Sequence, residues 1–445
     1  MRKLLPALLC ILAFAVPAQA AYDFTWEVEQ HVFIAGDFAY LQFIATVTNT
    51  GDETDMYDIH KDEILPPDWS ASICVGDFCY APFVDDVTAG PLDPGADLVI
   101  DAVINLGDLP GTGVATLTVT SQGDNGVFLT EDFTAIHDDC DLLLVDDAAK
   151  SENLWQILPA AMTGGKVMGV WPRRDQLPTL SDLQSFGAAL WLTGNTLPAL
   201  EADDRSLIES YLGAGNAMLI SGQDIAQDLS QAGQASWLAS VLKIQYLGNG
   251  ASLDLEGEDN DHLGDGLAFT LDASQTDPDL IDYAVNQGGI VASPSFRYAS
   301  GPEAGVMAGA TFGSPSRHVF LGFGLEGTGG DLPVLLARAC EILLSTDVDP
   351  AQAPGRLTLL GNYPNPFNPK TTLSFEAPQA GKASIEVLDI HGRSIDNFEV
   401  MAQAGRNEIP FLAQDREGRS LSSGVYLYRV VVGAESAEGK LTLLK

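Results

Sequence analysis

The stretch LLLVDD at residues 142–147 decides the fold of the middle of this chain. Four consecutive apolar residues followed by two acids are typical of a strand buried on both faces, as in a parallel sheet. Similar apolar runs recur at 167–171 (VMGVW), 188–192 (AALWL) and 217–220 (AMLI), with helix-like segments between them. Strands that alternate with helices predict an open parallel sheet with helices on both faces.

The same alternation sets the limits of this central domain. Residues 245–315 are rich in Gly, Asp and Ser, and they are predicted to be an irregular insertion with a few strands. RHVFLGF at 317–323 returns to the pattern of a buried strand. Helices are predicted at 152–162, near 181–186, at 203–212 and at 334–344. An α/β domain is therefore expected over residues 139–346.

Residues 21–138, before this domain, alternate apolar and polar side chains in short runs. Strands are predicted at 41–48, 97–103 and 114–120, with turn signals such as NTGD at 49–52 between them. Several short strands of this kind predict an antiparallel β-sandwich. The turn motifs NTGD, PPDW (66–69) and LDPG (92–95) resemble those of immunoglobulin-like modules on exported proteins. The resemblance implies a fold and no activity.

The extreme N-terminus is typical of a cleaved signal peptide over residues 1–20. Arg2 and Lys3 precede an apolar run that ends before Ala18-Gln19-Ala20, the small-x-small pattern of a signal peptidase site. The apolar run is too short for a stable membrane span, and no later run reaches about 18 apolar residues. The sequence therefore predicts export and no membrane span.

Four cysteines remain after processing, namely Cys74, Cys79, Cys140 and Cys340. The segment ICVGDFCY at 73–80 predicts a β-hairpin that turns at Gly76 and Asp77 and places Cys74 opposite Cys79. Export into an oxidising compartment favours a disulfide between them. The same spacing would also suit half of a zinc site, although no second ligand pair follows. Cys140 and Cys340 flank the central domain and are a second possible pair.

The charge of the chain is strongly acidic and unevenly distributed. The whole sequence has 22 basic and 61 acidic residues, and residues 21–356 hold 11 basic and 51 acidic of them. A field of this sign repels nucleic acid and anionic lipid, so neither is an expected partner. It suits a solvated surface that keeps an exported protein soluble, and weak calcium binding is the alternative interpretation.

A polar stretch with two prolines at 347–356 is predicted to be a linker, and residues 357–445 form a separate module. The module opens with three prolines in a short run, which fix φ and remove backbone donors. This run is expected to be an extended lead-in rather than a ladder strand, and the period-two pattern after it predicts a small β-sandwich. The motif residues are Asn362, Tyr363, Pro364, Asn365, Pro366, Phe367, Asn368 and Pro369, with Gly424 and Tyr426 in a later strand.

These residues closely resemble the C-terminal sorting domain of type IX secretion cargo and its immunoglobulin-like relatives on flagellar hook-capping proteins. The resemblance covers the module from the proline-rich run to the terminal lysine. It implies that the outer-membrane secretion machinery is a partner. It also implies that the protein is released or attached to the outer cell surface, in some cases after the module is cleaved off.

The central domain resembles the class I glutamine amidotransferase-like fold. The likeness rests on WLTG (191–194), YLGAG (211–215), LISGQD (219–224) and VFLGF (319–323). It implies an open, flavodoxin-like parallel sheet. The chain departs from the family because Ser221 stands near the expected nucleophile position, no cysteine is there, and no His-x-Glu signature appears. The fold is therefore expected without the activity of the family.

Ser221 is the remaining candidate nucleophile, with His318 as its base and Glu326 as the orienting acid. The alternative interpretation is that Ser221 and Asp224 cap the helix that follows them. Phosphate-loop, GxGxxG and HExxH patterns are absent from the sequence. No cofactor is therefore predicted, with calcium as the one possible ion.

The calcium candidates are Asp259, Asp261 and Asp265 in a dense acidic loop. The loop departs from the EF-hand pattern, and a solvated acidic loop is the alternative. Trp69 and Trp155 would either stack on sugars or belong to the core.

Three classes of function remain open from the sequence alone. The first is a secreted or cell-surface protein that binds an unidentified extracellular ligand without catalysis. The second is a secreted hydrolase, a peptidase or an esterase, that uses Ser221. The third is a structural component of a surface layer. One fold hosts many functions, so the fold prediction does not choose among them.

Overall fold

The structure is a computed structural model. It describes residues 21–148, 165–250, 252–272, 278–284, 292–313, 317–345, 357–377, 381–402, 405–416, 418–433 and 435–444. The predicted signal peptide, the helix predicted at 152–162 with its Trp155, and the predicted linker lie outside the described residues. The chain is mostly β, with 50% strand and 14% helix. Within the described ranges, no helix is long and apolar enough to cross a membrane.

The described chain divides into two compact units. The first consists of residues 21–33, 37–109 and 113–135, and the second of residues 34–36, 110–112 and the described residues from 136 onward.

The first unit is built from two five-stranded sheets, ordered β1-β3-β8-β5-β6 and β2-β10-β9-β4-β7. Their strands are β1 (Phe24–Val28), β2 (Val32–Ala35), β3 (Tyr40–Asn49), β4 (Asp55–Ile64), β5 (Ser70–Val75), β6 (Phe78–Cys79), β7 (Asp86–Leu92), β8 (Asp97–Asn105), β9 (Thr112–Ser121) and β10 (Phe128–His137). The strands predicted at 41–48, 97–103 and 114–120 are confirmed as β3, β8 and β9.

Aromatic side chains close the space between these two sheets. The ring of Phe24 on β1 meets Tyr57 on β4 edge-on, with centroids 5.1 Å apart. Phe43 on β3 lies 5.5 Å from Phe133 on β10, and both rings are fully buried. The two sheets therefore pack face to face, as the alternating pattern of the sequence predicts. Trp69 is also part of this core, because it is 7% exposed and its Nε1 donates to the carbonyl oxygen of Leu109 at 3.1 Å.

The second unit contains one large mixed sheet of eleven strands. The strands are β11 (Leu142–Asp146), β12 (Met168–Pro172), β13 (Ala189–Gly194), β14 (Met218–Gly222), β15 (Ile244–Asn249), β16 (Asp254–Gly257), β17 (Ala268–Thr270), β18 (Asp279–Tyr283), β19 (Ala292–Tyr298), β20 (Met307–Phe312) and β21 (His318–Leu321). The main path of the sheet runs β12-β11-β13-β14-β21-β20-β19-β16-β17.

The sheet is parallel at one end and antiparallel at the other. Strands β12, β11, β13, β14 and β21 pair in parallel, which agrees with the apolar runs that begin at 142. Strand β20 then pairs antiparallel with β21, and β19 with β20. The predicted parallel pairing therefore holds for these five strands, and the prediction that residues 245–315 are an irregular insertion is wrong for the described strands of that range. The described strands within residues 245–315 extend the same sheet, because β20 hydrogen-bonds to the edge of β21.

Five α-helices lie within the described part of this unit, and two other helical turns accompany them. The α-helices are α1 (Leu180–Gln184), α2 (Ala202–Gly213), α3 (Ile225–Gln231), α4 (Ala235–Trp237) and α5 (Leu332–Leu344). A π-helical turn covers Leu238–Leu242, and a 3₁₀ turn covers Leu325–Asp331. The apolar side of α5 packs on the parallel strands in a core that includes Leu144, Leu192, Leu219 and Leu335.

The C-terminal part of the second unit is a β-sandwich of two smaller sheets, ordered β22-β23-β26 and β25-β24-β27-β28. Its strands are β22 (Thr358–Tyr363), β23 (Lys370–Ala377), β24 (Gly381–Leu388), β25 (Ser394–Ala402), β26 (Gly405–Leu412), β27 (Gly424–Val432) and β28 (Glu435–Leu443). One buried cluster draws side chains from both sheets, among them Phe375, Phe411, Ile385 and Val430.

Strand β14 is the best place to test the central sheet, because it has a parallel neighbour on each side. Leu219 is fully buried there, so Leu219→Ala should lower the free energy of unfolding by about 2–5 kcal/mol through lost burial and a cavity. Val334→Ala is the control, since Val334 is 43% exposed on α5 and should change stability by no more than about 0.5 kcal/mol. Denaturant melts followed by tryptophan fluorescence measure both. Equal losses in the two variants would contradict the assigned core.

Candidate functional site

The carboxyl ends of the parallel strands are where ligands bind in open sheets of this kind, and Ser221 lies there at the end of β14. Its side chain is 1% exposed. The Ser221 hydroxyl donates to the carbonyl oxygen of Phe323 at 2.7 Å and accepts from the N–H of Leu325 at 3.1 Å. Both partners lie just after β21. The hydroxyl thus ties two neighbouring strand ends together and is held inside the fold.

His318 does not lie beside Ser221. It begins β21 opposite Met218, whereas Ser221 pairs with Leu321, three positions further along. At 3.3 Å per residue the two side chains start roughly 10 Å apart along the strands. The imidazole Nε2 is 3.1 Å from the carbonyl oxygen of Leu242, and the ring stacks on Phe312 with centroids 4.4 Å apart.

The candidate constellation of Ser221, His318 and Glu326 is thus not assembled as a hydrogen-bonded triad. Glu326 is the residue next to Leu325, whose N–H donates to the hydroxyl of Ser221. Glu326 is half-buried in the 3₁₀ turn. A serine nucleophile needs a base within hydrogen-bond reach, and His318 does not provide one in this arrangement.

The helix after β14 is capped by a residue that the sequence does not indicate. Asp224 occupies the N-cap position of α3 with φ of 60°, and it makes no side-chain capping bond. The carboxylate of Asp279 accepts instead from the N–H groups of Ala226 at 2.7 Å and Gln227 at 3.1 Å. Asp224 therefore holds the predicted N-cap position, whereas the prediction that its side chain and that of Ser221 satisfy the helix N–H groups is wrong. Asp279 is 53 residues away from Ala226 in sequence, and only tertiary folding brings the two together.

Asp279 is completely buried, and its ionisation is coupled to folding. The pKa of Asp279 is raised to about 8, chiefly by burial and to a smaller extent by the charge of Asp224. The two helix N–H groups act in the opposite direction, because they stabilise the carboxylate. The carboxyl group is consequently mostly protonated near neutral pH.

A second buried carboxyl group follows β11. Asp147 is 5% exposed, and the indole Nε1 of Trp191 donates to it at 3.2 Å. Burial, followed by the charge of Asp204, raises the pKa of Asp147 to about 7. Asp204 is itself bonded to Arg173 with Nε and Oδ1 2.5 Å apart. These contacts link the ends of β11 and β13, and that of β12 to α2.

The acidic loop is organised by its own backbone. Asp261 is 6% exposed, and its Oδ1 accepts from the N–H groups of Leu263 at 3.0 Å and Gly264 at 2.9 Å. Asp265 accepts from the N–H of Asn260 at 2.8 Å. Asp259, Asp261 and Asp265 do not form a group of ligand atoms that all lie within 4.8 Å of one another. The interpretation of a freely solvated loop fails for Asp261, and calcium binding stays an untested prediction.

The hairpin of β5 and β6 is the third candidate site. Cys74 faces Cys79 in the strand register and the two form a disulfide, with Cα atoms 3.9 Å apart. This confirms the predicted pair and removes the zinc interpretation. Gly76 takes φ of 55° at the turn, a conformation that favours glycine. Cys140 and Cys340 are both buried and do not form the second disulfide considered from the sequence.

The stapled hairpin carries aromatic side chains that the sequence analysis did not single out. Phe78 is 62% exposed, and its ring meets Tyr80 edge-on at 4.8 Å. Phe83, a few residues further along, is 84% exposed. Large exposed aromatics on a rigid support are typical of binding surfaces. The one sequence signal for this exposed surface is Phe78, an apolar residue between the turn at Gly76 and Asp77 and the cysteine Cys79.

The proline-rich segment of the C-terminal module runs alongside the last strand. After β22 ends at Tyr363, Phe367 is 2% exposed, and its N–H donates to the carbonyl oxygen of Thr442 at 2.9 Å. The N–H of Leu444 donates back to Phe367 at 2.9 Å. Gly424 opens β27, and the Tyr426 hydroxyl donates to the carbonyl oxygen of Ser422 at 2.7 Å. The segment bends on both sides of Phe367, has cis peptide bonds before Pro364 and Pro366, and makes one bridge to β28. The prediction that it is not a ladder strand is confirmed, and the prediction that it is extended is wrong.

Comparison with known families agrees with this module. Residues 362–443 match the model of the secretion system C-terminal sorting domain. The protein therefore carries a type IX sorting tail, which directs it to the extracellular space or the outer cell surface and implies contact with the type IX machinery. No curated protein matches the chain in sequence.

Solved structures show only distant likeness. The N-terminal domain of PorA is 16% identical, with a TM-score of 0.21, and the match covers 26% of this chain and 97% of that one. Dimeric latent PorU from Porphyromonas gingivalis is 10% identical, with a TM-score of 0.18, and the match covers 96% of this chain and 34% of that one. The secreted serine protease VesC from Vibrio cholerae is 13% identical, with a TM-score of 0.18, and the match covers 32% and 27%.

Superpositions this weak carry no argument about fold or function. The resemblance of the central domain to glutamine amidotransferases is supported by none of these matches and stays a prediction. The sorting module is therefore the part of the chain whose class is established.

The buried acids generate a prediction for pH. Because folding raises the pKa of Asp279 to about 8 and of Asp147 to about 7, the folded state holds extra protons above the unfolded pKa of about 4. The stability that these protons confer is present at low pH and is lost as pH rises through this window. The free energy of unfolding should consequently fall between pH 5 and pH 8. In Asp279→Asn the fall should be smaller by at least about 1 kcal/mol.

Urea melts at the two pH values, followed by tryptophan fluorescence, measure this difference. Glu209→Gln, an exposed acid on α2, is the matched control and should keep the full pH dependence. An Asp279→Asn protein with the same pH slope as the parent would show that Asp279 is not the coupled group.

Proposed function

We propose that this protein is a non-catalytic binding protein of the outer cell surface, exported through its C-terminal sorting module. The observation that carries the proposal is the hairpin stapled by Cys74 and Cys79, which holds Phe78 62% exposed beside Tyr80. An exposed apolar ring loses little conformational entropy on binding when its backbone is already fixed.

The surroundings of the hairpin indicate the kind of ligand. Asp77, Asp85 and Asp86 are exposed in the same stretch of chain as Phe78 and Phe83. Aromatic faces next to carboxylates stack on the apolar faces of sugar rings and accept hydrogen bonds from their hydroxyl groups. The strongly negative charge of the chain disfavours anionic ligands. We therefore propose a neutral polysaccharide as the ligand class.

The other two functions have less support. A hydrolase would need a base at Ser221, and the observed hydroxyl is bonded to the backbone at Phe323 and Leu325 while His318 faces Leu242. A surface-layer role stays a prediction, to be tested by self-assembly of the purified protein. Binding without catalysis is supported by the stapled hairpin and its exposed Phe78 and Phe83.

The hairpin predicts a specific loss of binding. Replacing Phe78 and Phe83 by serine removes the two most exposed rings of this region and leaves the disulfide in place. Retention of the purified protein on insoluble cellulose, chitin or glucan should fall by roughly tenfold or more, as for hot-spot aromatics. The assay is co-sedimentation with each polymer over a range of protein concentrations.

Phe128→Ser with Leu129→Ser is the matched control. These residues are 58% and 38% exposed on β10, away from the stapled hairpin in sequence. The control should sediment like the parent. Parent protein that sediments with none of the polymers would reject the polysaccharide class, and equal losses in both double variants would reject the hairpin.

The sorting module predicts the location of the protein. Deletion of residues 362–445 in the native host should abolish its appearance on the cell surface and in the medium, because the matched sorting domain is removed. The measurement is surface labelling and fractionation with an internal tag, with protein retained inside the outer membrane as the expected result. The substitution Arg393→Ala, in an exposed turn of the module, is the control for export. Unchanged export of the deletion variant would rule out a sorting role.

A further inference from the structure

The second unit contains a contact between the central sheet and the sorting module that neither the sorting function nor ligand binding requires. Lys370 begins β23, directly after the proline-rich motif, and its Nζ is 2.5 Å from Oδ2 of Asp282 on β18. The same Nζ donates to the carbonyl oxygen of Tyr283 at 3.0 Å. The Lys370 and Asp282 side chains are only 18% and 28% exposed. This ion pair is therefore largely withdrawn from solvent, unlike surface pairs of little energetic value.

A buried carboxylate lies beside this pair. Glu408 on β26 is 2% exposed, and it accepts from the hydroxyl of Tyr283 at 3.3 Å. Ser374, its cross-strand neighbour on β23, donates to the other carboxylate oxygen at 3.4 Å. Tyr283 is 3% exposed. A buried carboxylate without such donors is costly, so Glu408 depends on the central domain for part of its hydrogen bonding.

The third contact joins Arg297 of the central domain to Tyr363 of the module. Arg297 on β19 is bonded to Glu258 with Nε and Oε2 2.6 Å apart, and its Nη1 donates to the carbonyl oxygen of Gly305 at 3.0 Å. So oriented, its guanidinium lies 5.8 Å from the ring centroid of Tyr363, a residue of the sorting motif. This is the distance of a cation–π contact.

Open space surrounds these contacts. Two cavities of about 540 and 370 Å³ adjoin them, and each is lined by residues of both the sheet and the module, including Arg297, Tyr363 and Glu408. Open space of this size gives little dispersion energy. The named polar contacts are thus the part of the association that one charge reversal can test.

We propose that Asp282, Tyr283 and Arg297 form a docking surface for the sorting module, which stays bound there without a covalent connection. The occupant is the module of the same chain, recognised through Lys370, Glu408 and Tyr363. One flank of the sorting motif is then covered by the central domain. The other flank, where Phe367 bridges to β28, is covered by the module itself.

The test uses the full chain with a site for a specific protease placed in residues 347–356, the predicted linker. After complete cutting, the two fragments should co-elute in size-exclusion chromatography over a dilution series. Lys370→Glu should weaken their association by roughly tenfold or more, since the pair becomes a repulsion with Asp282. Asp282→Lys in the Lys370→Glu background should restore co-elution, which a merely misfolded module would not do.

Lys382→Glu is the matched control, because Lys382 pairs with Glu399 inside the module and the two are 64% and 55% exposed. This variant should co-elute like the parent. Fragments of the parent that separate on cutting would overturn the proposal. Co-elution that survives Lys370→Glu unchanged would also overturn it, because the contact would then not depend on these residues. Both outcomes leave export and polysaccharide binding untouched, so they are separable from the proposed function.

Discussion

The buried carboxylate of Asp279 joins the parts of the central domain. Its two oxygens accept from the first turn of α3, its N–H donates to the carbonyl oxygen of Gly322, and its own carbonyl accepts from Tyr298. The parallel strands, the helix after β14 and the antiparallel extension all meet at this residue. Each carboxylate oxygen has a hydrogen-bond partner, because a buried carboxyl group without partners would be costly. Burial raises the pKa of Asp279, and stability consequently depends on pH.

The strand end near Ser221 is likewise closely packed. The hydroxyl is bonded on both sides to backbone groups after β21, and Gly222 has no room for a side chain because an added Cβ would lie 1.9 Å from Oγ1 of Thr193. Close packing at this turn stabilises the sheet. It leaves the nucleophile position inside the fold. The stapled hairpin of the first unit, by contrast, exposes Phe78 and Phe83.

The sorting module and the central domain share the second unit and differ in charge. The acidic excess lies before residue 357, whereas the module is nearly balanced, and Lys370 meets Asp282 where they touch. The acidic residues before 357 can thus pair with lysine and arginine residues of the module. Such complementarity favours the correct docking orientation more than it adds affinity.

The sequence by itself determined the elements whose signals are local. The apolar runs at 142–147 and 217–220, the hairpin of Cys74 and Cys79, and the proline-rich sorting motif are read within a few residues, because period, turn chemistry and missing N–H groups act at that range. Tertiary structure decided the rest: the antiparallel half of the sheet, the cap from Asp279, and the separation of Ser221 from His318. Each of these depends on strand register or on a partner many residues away, for which a single sequence carries no local mark.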